Sequence, residues 1–121
     1  MTSSNLNSLI AEDDEVISEL ISCDLQEYFG DQQTRIDEVY TVGQALERLK
    51  DNHYDVIISD YHFRDNKGDV IRASHPTTPF IFISGGLPQQ IEINQVDTYS
   101  IDKPFKTKDL HTIIKRALKL H

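Results

Sequence analysis

Short continuous apolar runs alternate along the chain with longer stretches whose apolar residues recur at helical spacing. Ser8-Leu9-Ile10-Ala11 is the first run. Glu12-Asp13-Asp14 stops it, and Val16, Ile17, Leu20, Ile21, Leu25 and Tyr28 then follow a helical period up to Gly30. Arg35 to Tyr40 predicts a second strand, after which Thr41 caps a helix whose apolar face is Val42, Ala45, Leu46 and Leu49. Tyr54-Asp55-Val56-Ile57-Ile58-Ser59 carries consecutive β-branched apolar residues, the pattern of a strand covered on both faces, and it ends at Asp60.

Gly68 to Ser74 predicts a short third helix. Pro79-Phe80-Ile81-Phe82-Ile83 predicts another buried strand, ended by Ser84-Gly85-Gly86. Leu87 to Asn94 offers only a turn or so of helix after Pro88, and Val96 to Ile101 predicts an edge strand before Lys103-Pro104. Thr107 caps the last helix, with Asp109 near its start and Leu110, Ile113, Ile114, Ala117 and Leu118 as one apolar stripe. Strands alternating with helices in this way predict the α/β class. The expected architecture is a doubly wound five-stranded parallel sheet in a three-layer α/β/α sandwich, with right-handed crossovers.

A length of 121 residues suits a single domain spanning 1–121, with one hydrophobic core. Hydrophobic residues at 38% and charged residues at 26% exclude a disordered or membrane-spanning chain. The first residues, Met1 to Asn5, carry no basic residue, and the apolar run after them is too short for a secretory signal, so a cytoplasmic location is expected. The single cysteine, Cys23, lies among Leu20, Ile21 and Leu25 and is read as a small buried or half-buried apolar residue. Twelve Lys+Arg against twenty Asp+Glu give a net charge of -8, which repels a phosphate backbone, so no direct nucleic-acid binding is expected. The expected partners are proteins and cations.

In doubly wound sheets the site lies beyond the carboxyl ends of the strands. Here those ends carry Glu12-Asp13-Asp14, Asp60, Ser84 and Lys103. Carboxylates converging in one crevice repel one another, and either proton uptake or a hard cation with oxygen ligands relieves them. Mg²⁺, or Mn²⁺, fits such a set and leaves positions open for phosphoryl oxygens. An aspartate attacking phosphorus forms an acyl phosphate, with Lys103 neutralising the equatorial oxygens and Ser84 hydrogen-bonding them. Each residue alone has a plainer explanation: Asp13 or Asp14 as a helix cap, Asp60 as a turn residue, Lys103 as a surface lysine. Their joint presence at four strand ends is what points to a site. The histidines, at positions 53, 62, 75, 111 and 121, lack metal-ligand spacing and receive no catalytic role.

The stretch Leu9-Ile10-Ala11-Glu12-Asp13-Asp14-Glu15, the strand Val56-Ile57-Ile58-Ser59-Asp60, Gly68 after it and the turn Asp102-Lys103-Pro104-Phe105 together resemble a response-regulator receiver domain, the CheY-like, flavodoxin-like family. The resemblance implies a two-component phosphorelay protein in which Asp60 is the phosphoacceptor. It implies Asp13 as the principal metal carboxylate, Glu12 acting mainly through metal-bound water, and the His62 backbone carbonyl completing the shell. Ser84 would contact the phosphoryl group, Lys103 would pair with it, and Pro104 would follow a cis peptide bond. Implied partners are a sensor histidine kinase or phosphotransfer protein as donor, a downstream protein target and a second copy of the chain. The family's face of fourth helix, fifth strand and fifth helix serves docking, and here Lys106, Lys108, Lys115, Arg116 and Lys119 make the last helix basic.

The chain also departs from the pattern. Ser100 occupies the position that usually holds the switch aromatic, and Tyr99, one residue earlier, faces the opposite side of the strand. Arg64 stands where such loops often have proline, and the short spacings from Asp60 to Ser84 and on to Lys103 predict trimmed third and fourth helices. Other functions fit less well. A haloacid-dehalogenase phosphohydrolase needs a second acid two residues after the nucleophile, where His62 stands, and a flavodoxin needs a hydroxyl- and glycine-rich loop after the first strand. A pseudo-receiver acting only as a protein-binding module is the main alternative. With no output domain after His121, the expectation is a stand-alone receiver or one excised from a longer regulator, not an enzyme with turnover.

Overall fold

The computed structural model describes residues 6–30, 34–85 and 98–118. Its elements run β1 (Leu6–Ala11), α1 (Glu15–Phe29), β2 (Thr34–Val39), α2 (Val42–Asp51), β3 (Val56–Asp60), α3 (Asp69–Ser74), β4 (Phe80–Ser84), β5 (Thr98–Asp102) and α4 (Thr107–Ala117). All strand pairs are parallel, and the sheet order is β2-β1-β3-β4-β5. This is the predicted α/β architecture. The third helix is short, as the compressed spacing required, while the helical turn expected over Leu87 to Asn94 lies outside the described residues.

Successive strand residues point to opposite faces, so each central strand feeds both layers. Leu9, Ala11, Ile57, Phe80 and Phe82 pack with Val42, Ala45 and Leu49 of α2 and Ile71 of α3. Ile10, Val56, Ile58, Ile81 and Ile83 pack on the other face with Ile21, Leu25 and Phe29 of α1 and Leu110, Ile114 and Ala117 of α4. Every residue of β3 and β4 is buried, which explains why those two strands read as continuous apolar runs.

The helix ends follow the sequence closely in two cases. Asp14 caps α1, its carboxylate accepting the Val16 and Ile17 N–H groups at 2.9 and 3.3 Å, and Gly30 closes it at φ 62°, a left-handed value that suits glycine. Thr41 caps α2 by accepting the Gln44 N–H at 3.0 Å. The third expected cap differs. Thr107 is the first residue of α4 and makes no cap; its hydroxyl instead donates to Asp24 Oδ1 at 3.1 Å, tying α4 to α1.

The buried face of α1 also differs from the apolar pattern. Ser18, Ile21, Ser22, Leu25 and Phe29 are buried, whereas Val16 and Leu20 are 67% and 55% exposed. Ser18 is accommodated because its hydroxyl donates to Glu38 Oε1 at 2.6 Å, and Ser22 accepts from Gln26 at 3.2 Å. Cys23 is exposed rather than buried, since the stripe continues through Ser22. Replacing Leu25, which is fully buried, by Ala is expected to cost about 2–5 kcal/mol. Leu20→Ala should stay within about 0.5 kcal/mol of wild type, both measured by urea denaturation.

Candidate functional site

The chain reverses its direction of travel between β1 and β3, since β2 lies on one side of β1 and all later strands on the other. A crevice opens at that point, beyond the carboxyl ends of the two strands. Ala11 is level with Ser59, so the next residues, Glu12 and Asp60, face each other across it. β4 ends one step further on, with Ser84 level with Asp102, and the Lys103 N–H donates to the Ser84 carbonyl at 2.9 Å. The sheet register therefore brings all four strand ends to one rim.

Glu12, Asp13 and Asp60 each offer a carboxylate oxygen, and these oxygens lie within 4.8 Å of one another. Glu12 is 1% exposed and Asp60 8%, while Asp13 is exposed. Lys103 Nζ stands between the two buried acids, 2.8 Å from Glu12 Oε1 and 3.2 Å from Asp60 Oδ2. The second oxygen of each acid is held by backbone: Glu12 Oε2 accepts the Asp14 N–H at 3.0 Å, and Asp60 Oδ1 accepts those of Tyr61 and His62 at 2.7 and 3.4 Å. Both carboxylates are thereby fixed in orientation. Ser84 is buried at the end of β4, and the Lys103-Pro104 peptide is cis, as the resemblance implied.

After Asp60 the chain folds back on itself in a tight hairpin. Gly68 N–H donates to the Tyr61 carbonyl at 2.6 Å and Phe63 N–H to the Asn66 carbonyl at 3.1 Å, so His62 and Lys67 oppose each other as a non-hydrogen-bonded pair. In such a pair each residue's own N–H and C=O point away from its partner. That is why the His62 N–H reaches Asp60, and it leaves the His62 carbonyl outside the hairpin ladder. A Cβ on Gly68 would collide with the Asp60 carbonyl oxygen and lie 3.1 Å from the Tyr61 Cα, so only glycine closes this turn. At Gly85 a Cβ would meet nothing within 4 Å, so the space there does not call for glycine.

Sequence reasoning did not single out Asp65, at the tip of this hairpin. Its carboxylate accepts the Val42 and Gly43 N–H groups at 3.1 and 3.0 Å, which binds the loop after Asp60 to the first turn of α2. An aspartate in a turn looks local, and these partners lie 23 and 22 residues away. Arg64 beside it is exposed. Tyr99 packs on the α1 and α4 face, with its hydroxyl donating to the Arg116 carbonyl at 3.3 Å, while Ser100 sits level with Phe82 on the opposite face. Lys106, Lys108, Lys115 and Arg116 are exposed, and Lys119 lies outside the described residues.

Burial pushes the Glu12 carboxyl up to about 6; the hydrogen bond from Lys103 offsets part of this, and the Asp60 charge adds to it. Burial pulls Lys103 down, but the bond to Glu12 and the charges of Glu12 and Asp60 outweigh it, and the ammonium is held above its ordinary value. A carboxyl raised on folding favours the folded state below its unfolded value, and that contribution is lost as pH rises through the folded value. Metal-free protein should therefore lose stability between pH 4.5 and about 6 through Glu12. Glu12→Gln should remove this slope and stabilise the metal-free protein at pH 7 by up to about 2 kcal/mol, as read by chemical denaturation across pH.

Comparison with known proteins agrees with this fold. A family model described as the response regulator receiver domain matches residues 8–115. No curated protein matches by sequence. Among solved structures, the chemotaxis response regulator CheY4 of Vibrio cholerae superposes with a TM-score of 0.80 at 21% identity, over 95% of this chain and 100% of that one. The receiver domain of the sensor histidine kinase PA1611 of Pseudomonas aeruginosa, which carries a magnesium ion in its active-site cleft, gives 0.79 at 22% identity, covering 96% and 99%. A CheY-like receiver domain protein of Methanospirillum hungatei gives 0.79 at 22% identity, covering 96% and 95%. With most of its length matched by the family model and this sheet order, the chain belongs to the response-regulator receiver domain family.

Proposed function

We propose that the protein is a phosphoacceptor switch of a two-component system, in which Asp60 takes a phosphoryl group from a histidine kinase or phosphotransfer protein. The observation that carries this reading is the Lys103 ammonium seated 3.2 Å from Asp60 in a crevice that also holds Glu12 and Asp13. A purely structural domain has no need for a buried acid, a second acid and a lysine converging there. The 121 residues are read as one receiver unit in the cytoplasm; among the described residues no helix is long and apolar enough to cross a membrane.

In the transfer an Asp60 carboxylate oxygen forms a bond to phosphorus as the bond from phosphorus to the donor atom breaks, and the electron pair leaves with the donor. Asp60 is oriented for this by the Tyr61 amide, and Lys103 neutralises the arriving charge. The Ser84 hydroxyl binds the same phosphoryl oxygens. The donor set suits a hard divalent cation, Mg²⁺ or Mn²⁺, with Asp13, Asp60 and the His62 carbonyl as ligands and Glu12 reached through water. Such a cation, when bound, supplies positive charge to the phosphoryl oxygens. Each chain takes up one group and releases it slowly, without substrate turnover.

A shelf of exposed apolar surface adjoins the crevice. Ile17, Leu20, Pro104 and Phe105, with Asp24, Lys103 and Thr107, line a cavity of about 490 Å³, which gives a donor protein a contact area beside Asp60. The binding-module alternative draws on Tyr99 and Ser100: with the tyrosine committed to α4, no aromatic from β5 is placed to follow the state of Ser84.

Incubation with Mg²⁺ and a small acyl-phosphate donor is expected to add one phosphoryl group by intact-protein mass spectrometry, with no adduct on Asp60→Ala. A folded wild-type protein that stays unmodified would instead favour the binding module. Leu20→Asp should slow transfer from a phosphohistidine protein at least about tenfold while leaving the small donor's rate unchanged.

A further inference from the structure

The hairpin that follows the acceptor has two anchored ends. Its base is Asp60 itself, closed by the Gly68 to Tyr61 hydrogen bond. Its tip is Asp65, whose two carboxylate oxygens each take one backbone N–H from the first turn of α2. The first turn of a helix presents amides without intrahelical partners. Here Thr41 satisfies Gln44, and Asp65 satisfies Val42 and Gly43, so α2 is capped jointly by its own threonine and by the acceptor loop. Between the two anchors stands His62, whose N–H contacts Asp60 Oδ1 and whose carbonyl is left out of the ladder.

We propose that Asp65 is a positioning residue for the phosphoacceptor site: by clamping the hairpin tip onto the amino end of α2, it sets the direction of the His62 carbonyl and of the amides that orient Asp60. Elsewhere the loop is held by a few local contacts: Lys67 Nζ lies 3.3 Å from His62 Nδ1, the His62 ring packs edge-on against Tyr61, and the Asn66 side chain accepts the Lys67 N–H at 2.9 Å. Arg64, Asn66 and Lys67 are exposed, and the hairpin's own pairing consists of the two bonds from Gly68 and Phe63. Phe63 adds a buried side chain on one flank, and its N–H, which shares a peptide with the His62 carbonyl, is bound to the carbonyl of Asn66, so the direction of that peptide follows the position of the loop tip. A carboxylate gripping two adjacent amides holds that tip, because both oxygens are engaged in one geometry. Burial plays little part in this. Asp65 is exposed, and the Gly43 N–H, ahead of the Val42 N–H, holds its carboxyl below the ordinary aspartate value, so the clamp is charged at neutral pH.

This inference rests on the phosphoacceptor reading for its chemical consequence but not for its structural one, and the test separates them. Asp65→Ala, Asp65→Asn and Thr41→Ala would be compared with wild type. Thr41→Ala removes a cap from the same helix without touching the hairpin, and it serves as the control for a merely structural role. Amide exchange is read first, without metal. Asp65→Ala should lose protection at Phe63 and Gly68, and Thr41→Ala should retain it. Mg²⁺ affinity is then measured by NMR titration. Asp65→Ala should bind about tenfold more weakly, the usual cost of losing an outer support, Asp65→Asn should fall between, and Thr41→Ala should match wild type. The rate of phosphorylation by the small acyl phosphate should follow the same order. Unchanged protection at Phe63 and Gly68 in Asp65→Ala, or equal loss of Mg²⁺ affinity in Asp65→Ala and Thr41→Ala, would overturn the proposal. A wild-type chain that neither binds Mg²⁺ nor takes up phosphate would overturn the phosphoacceptor reading instead, with the clamp still decided by exchange.

Discussion

Two buried carboxylates share one ammonium, and the arrangement of the rim depends on that contact. Glu12 and Asp60 are both almost fully enclosed, and their charges disfavour one another. Lys103 Nζ, within 3.2 Å of both, holds the three strand ends in a common electrostatic well. Removing Lys103 would leave two buried carboxylates uncompensated, which costs far more than the loss of a surface pair, whereas neutralising Glu12 leaves the Lys103–Asp60 pair intact. The same imbalance makes the crevice receptive. Three carboxylates against one lysine leave net negative charge in the crevice, which suits a hard divalent cation.

The fold serves this rim by register. Parallel pairing fixes which residue of one strand is level with which of the next, and the side-chain period of two assigns every neighbour to one layer or the other. A slip of one residue between β1 and β3 would separate Glu12 from Asp60 and exchange the faces of Leu9 and Ile10 between the α2 and α1 layers. The two packed layers thus guard the geometry of the site, although few of their residues touch it.

On β5 the chain departs from the pattern that the family resemblance implies. β5 turns Tyr99 toward α4 and Ser100 toward the α2 and α3 layer. On the other flank the hairpin after Asp60 grips α2, and α1 exposes Leu20 beside Lys103. Site chemistry and signal output are separable in this fold, since one depends on strand ends and the other on helices and loops that tolerate change.

By itself the sequence determined the alternation of strands and helices, the doubly wound class and the residues at the strand ends, because these follow from local periodicity and from which residue closes each apolar run. Asp14 and Thr41 as caps, and Glu12, Asp13, Asp60, Ser84 and Lys103 as a set, were legible for that reason. What it misplaced or missed shares one physical origin. The burial of Ser18 in place of Leu20 depends on Glu38 of a neighbouring strand, and the hydroxyl of Thr107 turns to Asp24 on a helix far earlier in the chain. Asp65 finds its amides on α2 rather than within its own turn. A polar side chain goes to whichever donor or acceptor the packed elements bring near, and that choice exists only once the elements are assembled.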